Sequence, residues 1–205
     1  MQHDEETAMS DVVGAEPHHI DELVELICTT GPYRTAVANN SDGLDYRAFL
    51  TRFLVAPRLA NSYVLLDTAR GNRVIGALVC APLNDFAPTD WSRCSPHSIE
   101  GLHEPFKTLR IPDSFYIDAL AVVADMQHKG IGKTLFRAAE AMACAAGYQD
   151  NLSLAVSASA TGAIRFYHSM GMISADCVKM KLPAFPPFLL MRSASHFLSY
   201  EQVCS

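Results

Sequence analysis

The residues with the plainest chemical potential are Gln127, His128, Lys129, Gly130, Ile131, Gly132, Lys133 and Thr134, the run QHKGIGKT. Glycines one residue apart let a chain bend and let a bulky anion approach the backbone. Where such a bend opens a helix, successive main-chain N–H groups and the helix dipole together make an anion cradle. The run therefore suits a phosphate ligand, either a nucleoside triphosphate or another phosphorylated carrier. The triphosphate loop needs glycine at the position held by Gln127. It also needs a later apolar strand ending in aspartate to hold magnesium, whereas LSLAVSA ends in serine and alanine. Two required parts are missing, so the expected ligand is a diphosphate on a different carrier, bound without metal.

Such a loop must be carried between a strand and a helix, and the flanking sequence provides both. SFYIDALAVVA is a continuous apolar run suited to a buried central strand. GKTLFRAAEAMACAAG places Leu135, Ala139, Met142 and Ala146 on one helical face, with Gly147 as a stop. Upstream, Ile20, Leu23, Val24 and Ile27 form one amphipathic stripe, with His18 and His19 expected exposed near the helix start. Tyr46, Phe49, Leu50, Phe53 and Leu54 form a second stripe, which Pro57 is expected to end. SYVLLDTARGNRVIGALVCAPL reads as a hairpin turning at TARGN. After the loop and its helix come a strand (LSLAVSA), a short helix (Ala163, Phe166, Tyr167, Met170, ended by Gly171) and two last strands, MISADCVKMKL and PFLLMRSA. This order predicts an α+β fold: a mixed, largely antiparallel sheet with helices on both faces.

Residues 1–12 are expected to be a loose tail or a short first strand, and 13–205 one domain. An irregular insertion spans about 84–112, rich in proline and holding Trp91. The net charge of −6 argues against a non-specific nucleic-acid binder. No apolar run is long enough to span a membrane, and no secretory leader opens the chain. The six cysteines, without a paired CxxC, read as reduced, mostly buried thiols of a cytoplasmic protein. Cys94, His97 and His103 lack a metal-site spacing and a fourth ligand, so no metal is expected.

Two stretches resemble one family. LAVVADMQHKGIGKTL resembles motif A of the GNAT superfamily of N-acetyltransferases, L-x-V-x-P-x-x-[RQ]-x-x-G-x-[GA], through Leu120, Val122, Gln127, Gly130 and Gly132, with Ala124 in place of proline. AIRFYHSMGM resembles its closing signature, A-x-x-F-Y-x-x-x-G-[FM], one helix and one strand later. The resemblance runs from about Ser114 to Met172. It implies an acetyl-CoA ligand and a sheet whose central strands splay at the acyl-CoA site. Leu120, Ala121 and Val122 would bond the pantetheine arm, and the Gln127–Thr134 loop would hold the pyrophosphate. A homodimer through the final strands is also in keeping with the family.

The implied activity is transfer of acetyl from acetyl-CoA to a primary amine by direct attack, a small-molecule amine being slightly preferred over a protein amine. Such a transfer needs a route for the amine's proton, a stabilised oxyanion and an acid for the thiolate. Tyr167 matches the family's tyrosine acid, its alternative being an aromatic packed in the core. Asp118, two residues before Leu120 and expected on the same strand face, is the candidate base or else a carboxylate fixed within the sheet. Tyr116 is a weaker substitute on that face. The family's CoA-binding asparagine falls at Ala160, where Ser157, Ser159 or Thr161 either compensates or shapes a turn. Phe86, Trp91 and Phe106 hint at an apolar acceptor groove. A second reading is a non-catalytic acyl-CoA-binding sensor or interaction module on the same fold.

Overall fold

The computed structural model describes residues 12–30, 45–86, 109–179 and 186–194. Strand β1 (Val12–Gly14) leads to α1 (Ile20–Cys28), and α2 (Tyr46–Leu50) continues through a π-helical stretch, Thr51–Val55, and 3-10 turns, Ala56–Asn61. Then follow β2 (Ser62–Asp67), β3 (Arg73–Pro82), β4 (Phe115–Val122), α3 (Ile131–Ala145), β5 (Leu152–Ser157), α4 (Thr161–Ser169), β6 (Met172–Val178) and β7 (Phe188–Ser193). The seven strands form one sheet in the order β1-β2-β3-β4-β5-β7-β6. β4 and β5, joined through α3, run parallel, and every other neighbouring pair is antiparallel. The α+β class expected from the sequence is the one observed.

Each face of the sheet carries its own apolar layer. On one, Leu23, Val24 and Ile27 of α1 and Phe49 and Leu50 of α2 pack on Val64, Ala77, Val79, Tyr116 and Ala121. On the other, Leu135, Phe136 and Ala139 of α3 and Tyr167 of α4 pack on Leu65, Leu78, Cys80, Ile117 and Leu154. The alternation along β3 (Ala77 and Val79 one way, Leu78 and Cys80 the other) explains why this strand reads as apolar throughout: both its faces are covered. Gly76 permits the second layer to close. A β-carbon there would lie 2.9 Å from Leu135 Cδ1 and 3.1 Å from Ile131 Cγ2, so those side chains, or α3 with them, would have to shift.

Several local expectations change. Pro57 does not end the helical run, because it falls in the first turn of the 3-10 segment, where its missing N–H leaves no bond unmade. His19 is buried rather than exposed: its Nδ1 accepts the Glu16 N–H at 3.0 Å, while His18 remains outside. The buried stripe of α3 runs Ile131, Leu135, Phe136, Ala139, Ala143, and Ala146 lies outside it. Among the described cysteines, Cys80 is buried and Cys28 half-buried, but Cys144 and Cys177 are exposed; all four are free thiols. The tail before Val12 and residues 87–108, with Trp91, Cys94, His97, His103 and Phe106, lie outside the described residues. Of the expected insertion, residues 84–86 and 109–112 are described, and Phe86 and Leu109 among them are buried. Among the described residues no helix is long and apolar enough to cross a membrane.

Candidate active site

β4 changes partners halfway along. Phe115, Tyr116 and Ile117 pair with Leu152, Ser153 and Leu154 of β5, and there the parallel ladder stops. Beyond it, Ala155, Val156 and Ser157 of β5 pair with β7, while β4 continues against β3 as far as the rung between Val122 and Gly76. The two central strands therefore fork after Ile117. Among the described residues the edge of β4 facing the fork has no strand partner, which suits its main-chain groups to an extended ligand.

A bulge lies at the vertex. Ile117 pairs with Cys80 and Ala119 with Val79, so Asp118 is the extra residue. This overturns the expectation that Asp118 and Leu120 share a face. Leu120 and Val122 pack toward α3, whereas Ala119 and Ala121 pack toward α1 and α2. Asp118 turns toward the second group and meets the Arg58 guanidinium in a short, charge-assisted hydrogen bond. Arg58 stands over the Phe86 ring, 5.3 Å from its centroid, and Phe86 meets Tyr116 edge-on at 6.0 Å. Tyr116 accordingly keeps to Asp118's side, as expected. Its phenol is pushed well above the ordinary range, chiefly by burial and next by the Asp118 carboxylate, with Arg110 and Arg58 opposing.

Opposite this corner stands Tyr167. It is 8% exposed, with ring contacts to Phe166 at 5.2 Å and Phe136 at 6.3 Å. Burial pushes its phenol up to about 12, so it is a proton donor at neutral pH.

The expected phosphate loop lies at the other end of the split edge. Ala124–Met126 form a 3-10 turn, His128 and Gly130 take left-handed φ values of 63° and 86°, and α3 begins at Ile131. Gln127 folds back to donate from Nε2 to the Val122 carbonyl at 3.2 Å, tying the loop to the end of β4. The first helical bond runs from Thr134 N–H to the Gly130 carbonyl. Among the described residues, no hydrogen-bond acceptor stands against the N–H groups of His128, Gly130, Ile131, Gly132 or Lys133, while Gln127 and His128 form a turn that closes on Lys129. A left-handed residue entering a helix makes successive N–H groups converge, and a 15-residue helix adds its dipole. A β-carbon on Gly132 would make only ordinary contacts, at 3.6 Å or more, with Phe166 and Val122. Internal packing thus leaves glycine at 132 unexplained, and close approach by a diphosphate explains it. The residues present fit the diphosphate and pantetheine arm of coenzyme A.

The structure thus brings Leu120, Ala121, Val122 and the loop Gln127–Thr134 along one edge, with Asp118 and Tyr116 at its vertex. Lys129 Nζ lies 3.5 Å from Met126 Sδ, and Lys133 and His128 are exposed. Ser157 and Ser159 hydrogen-bond each other at 2.9 Å in the turn before α4, the turn-forming alternative of the two weighed. Sequence reasoning missed Arg58. It lies 60 positions from Asp118, and no spacing rule links a 3-10 arginine to a bulged strand. Among the described residues no cluster of three or more His, Cys, Asp or Glu could hold a metal ion.

A forked sheet with a main-chain cradle where the split strand enters its helix is the architecture of acetyl-CoA-dependent acetyltransferases. The model of the acetyltransferase (GNAT) family matches residues 33–172, and the chain belongs to that family. No curated protein matches it in sequence. Solved structures match in fold. One is arylalkylamine N-acetyltransferase 2 from Aedes aegypti, 15% identical over 88% of this chain and 96% of that one, with a TM-score of 0.64. Another is Chaetomium thermophilum Naa20 in complex with a bisubstrate analogue, 20% identical over 89% and 85%, TM-score 0.57. A third is the NatC complex bound to Gag peptide and CoA, 17% identical over 87% and 91%, TM-score 0.54.

Proposed function

We propose that this acetyltransferase moves the acetyl group of acetyl-CoA directly to a primary amine of a small molecule, with residues 13–205 acting as one functional unit. Acetyl-CoA supplies the activated thioester. The loop Gln127–Thr134 binds its diphosphate through main-chain N–H groups, and Leu120, Ala121 and Val122 bind the pantetheine arm along the fork. Tyr167 donates its proton to the departing thiolate. The observation that carries this reading is the set of five amides without a described acceptor, leading from a forked strand into α3. The aromatic pair of Phe86 and Tyr116 beside the vertex supports a small acceptor over a peptide.

Of the two parts weighed for Asp118, base or fixed carboxylate, its engagement by Arg58 supports the second. The carboxylate thus balances charge at the vertex and the amine releases its proton to water. Calorimetry with CoA and acetyl-CoA, followed by thiol release with an amine panel, tests the whole. Binding heat with turnover is the expected result. Heat without turnover on any amine favours the sensor module, and no heat with either nucleotide overturns the reading.

A further inference from the structure

At the opposite end of α3 and β5 from the diphosphate loop lies a cleft of about 590 Å³. Four apolar residues form its back, and all four are buried: Phe136 and Ala143 of α3, Leu152 of β5 and Met172 of β6. Cys144 and Ala194 line it as well, and both are exposed, so the cleft opens to solvent. Ala194 is also where the described chain stops.

The chain is held at this place by its own hydrogen bonds. Leu152 N–H donates to the Ser193 hydroxyl at 3.0 Å, and Ala194 N–H donates to the Gly171 carbonyl at 3.1 Å. Whatever follows Ala194 therefore starts at the wall of the cleft. Residues 195–205 lie outside the described residues, and their sequence is SHFLSYEQVCS. Phe197, Leu198, Tyr200 and Val203 give this segment a large apolar surface, and Glu201 is its one charged side chain. A tail that stays solvated is rich in charge and poor in aromatics, the reverse of this composition. Phe197 comes three residues after Ala194, within about 10 Å of extended chain. A cleft of this volume takes about two or three side chains. Attachment at Ala194 also raises the local concentration of the segment to the order of millimolar, so a contact too weak for a free peptide suffices here. A second copy of the chain would lack that advantage.

We propose that residues 195–205 dock in this cleft, with Phe197 and Leu198 set against Phe136, Ala143, Leu152 and Met172. The segment thereby extends the apolar layer on the α3 face of the sheet. Phe136 also meets the Tyr167 ring at 6.3 Å, so a single side chain connects the docked segment to the proposed acid. The docking stands apart from the acetyl-transfer reading and is tested without activity.

The test follows the labelling of Cys144 by N-ethylmaleimide in the whole chain carrying Cys204→Ser, with rates read by peptide mass spectrometry. Cys177, exposed on β6, is the internal reference. Adding Phe197→Asp and Leu198→Asp should speed the labelling of Cys144 about tenfold, as expected when docking covers it about nine-tenths of the time. Cys177 should label at one rate throughout. Phe197→Ser alone should give a smaller rise in the same direction, and it decides the matter if the double change does not fold, which thermal unfolding reports. Equal Cys144 rates with the native and the substituted tails overturn the inference. Protection of Cys144 that grows with protein concentration assigns the cleft to a second copy, and protection lost on extensive dialysis assigns it to a small molecule; either result overturns the inference too.

Discussion

The two halves of β4 differ in partners more than in composition. Phe115, Tyr116 and Ile117 are flanked by strands on both sides, whereas Ala119 to Val122 have β3 on one side and the fork on the other. The first half is anchored further by Ser114, fully buried, whose hydroxyl donates to the Ile111 carbonyl and lies 2.6 Å from the Ser153 hydroxyl. The second half ends in the loop that Gln127 ties back to Val122. One strand thus has an end paired on both edges and an end paired on one edge among the described residues, the second being the end proposed to meet the ligand. The bulge at Asp118 separates them, and it allows one continuous apolar run to serve both purposes.

Mutations that respect this boundary should separate activity from stability. The largest effect is expected from Tyr167→Phe, which keeps the ring contacts and removes the acid. Steady-state thiol release should show kcat down about 100-fold with CoA affinity little changed. Unchanged kcat, with the chemical step limiting, would strip Tyr167 of that role. Gly130→Val should act next, since the left-handed φ of 86° costs a β-branched residue about 1–2 kcal/mol or more. Calorimetry should find CoA bound about tenfold more weakly. Ser153→Ala lies in the fully paired half. It should lower unfolding free energy by about 1 kcal/mol in denaturant titration and leave turnover alone.

The smallest effect is an alkaline one. Burial raises the Tyr167 phenol from 10.0 to about 12, so the folded state holds this proton more tightly than the unfolded chain does. Its contribution is intact below pH 10 and is lost as pH climbs through about 12. Cys80, pushed up to about 12 by burial, and Tyr116 act in the same direction. Tyr167→Phe should therefore flatten, without abolishing, the alkaline fall in stability, and it should leave the neutral range unmoved.

Much of the scaffold was legible because period and punctuation agree. The stripe of α1, the hairpin of β2 and β3, and Gly147 and Gly171 just beyond two helices each follow from local rules. The loop was legible because two glycines at that spacing have few other uses. The fork was not visible in any local pattern. SFYIDALAVVA reads as a strand buried throughout, and only the likeness to a known motif implied that it opens. The bulge escaped for a sharper reason: counting by twos from Asp118 to Leu120 presumes regular pleating, and one extra residue reverses the answer. Arg58 escaped because its partner is remote in sequence, and Pro57 misled because a proline stops a helix only where an N–H is needed.

Gly76 is two strands from β5 and has no side chain with which to touch anything, yet it sets a distance that matters to the proposed reaction. Because it is bare, Ile131 and Leu135 can settle against β3, and Ile131 is the first residue of the helix whose amides are proposed to hold the diphosphate. On the proposed reading, the height of that helix above the sheet would set how far the nucleotide end of the coenzyme stands from the phenol at its sulfur end. A methyl group at position 76 would work as a shim under one end of a ruler, shifting the thioester relative to Tyr167 without altering any atom that meets the substrate.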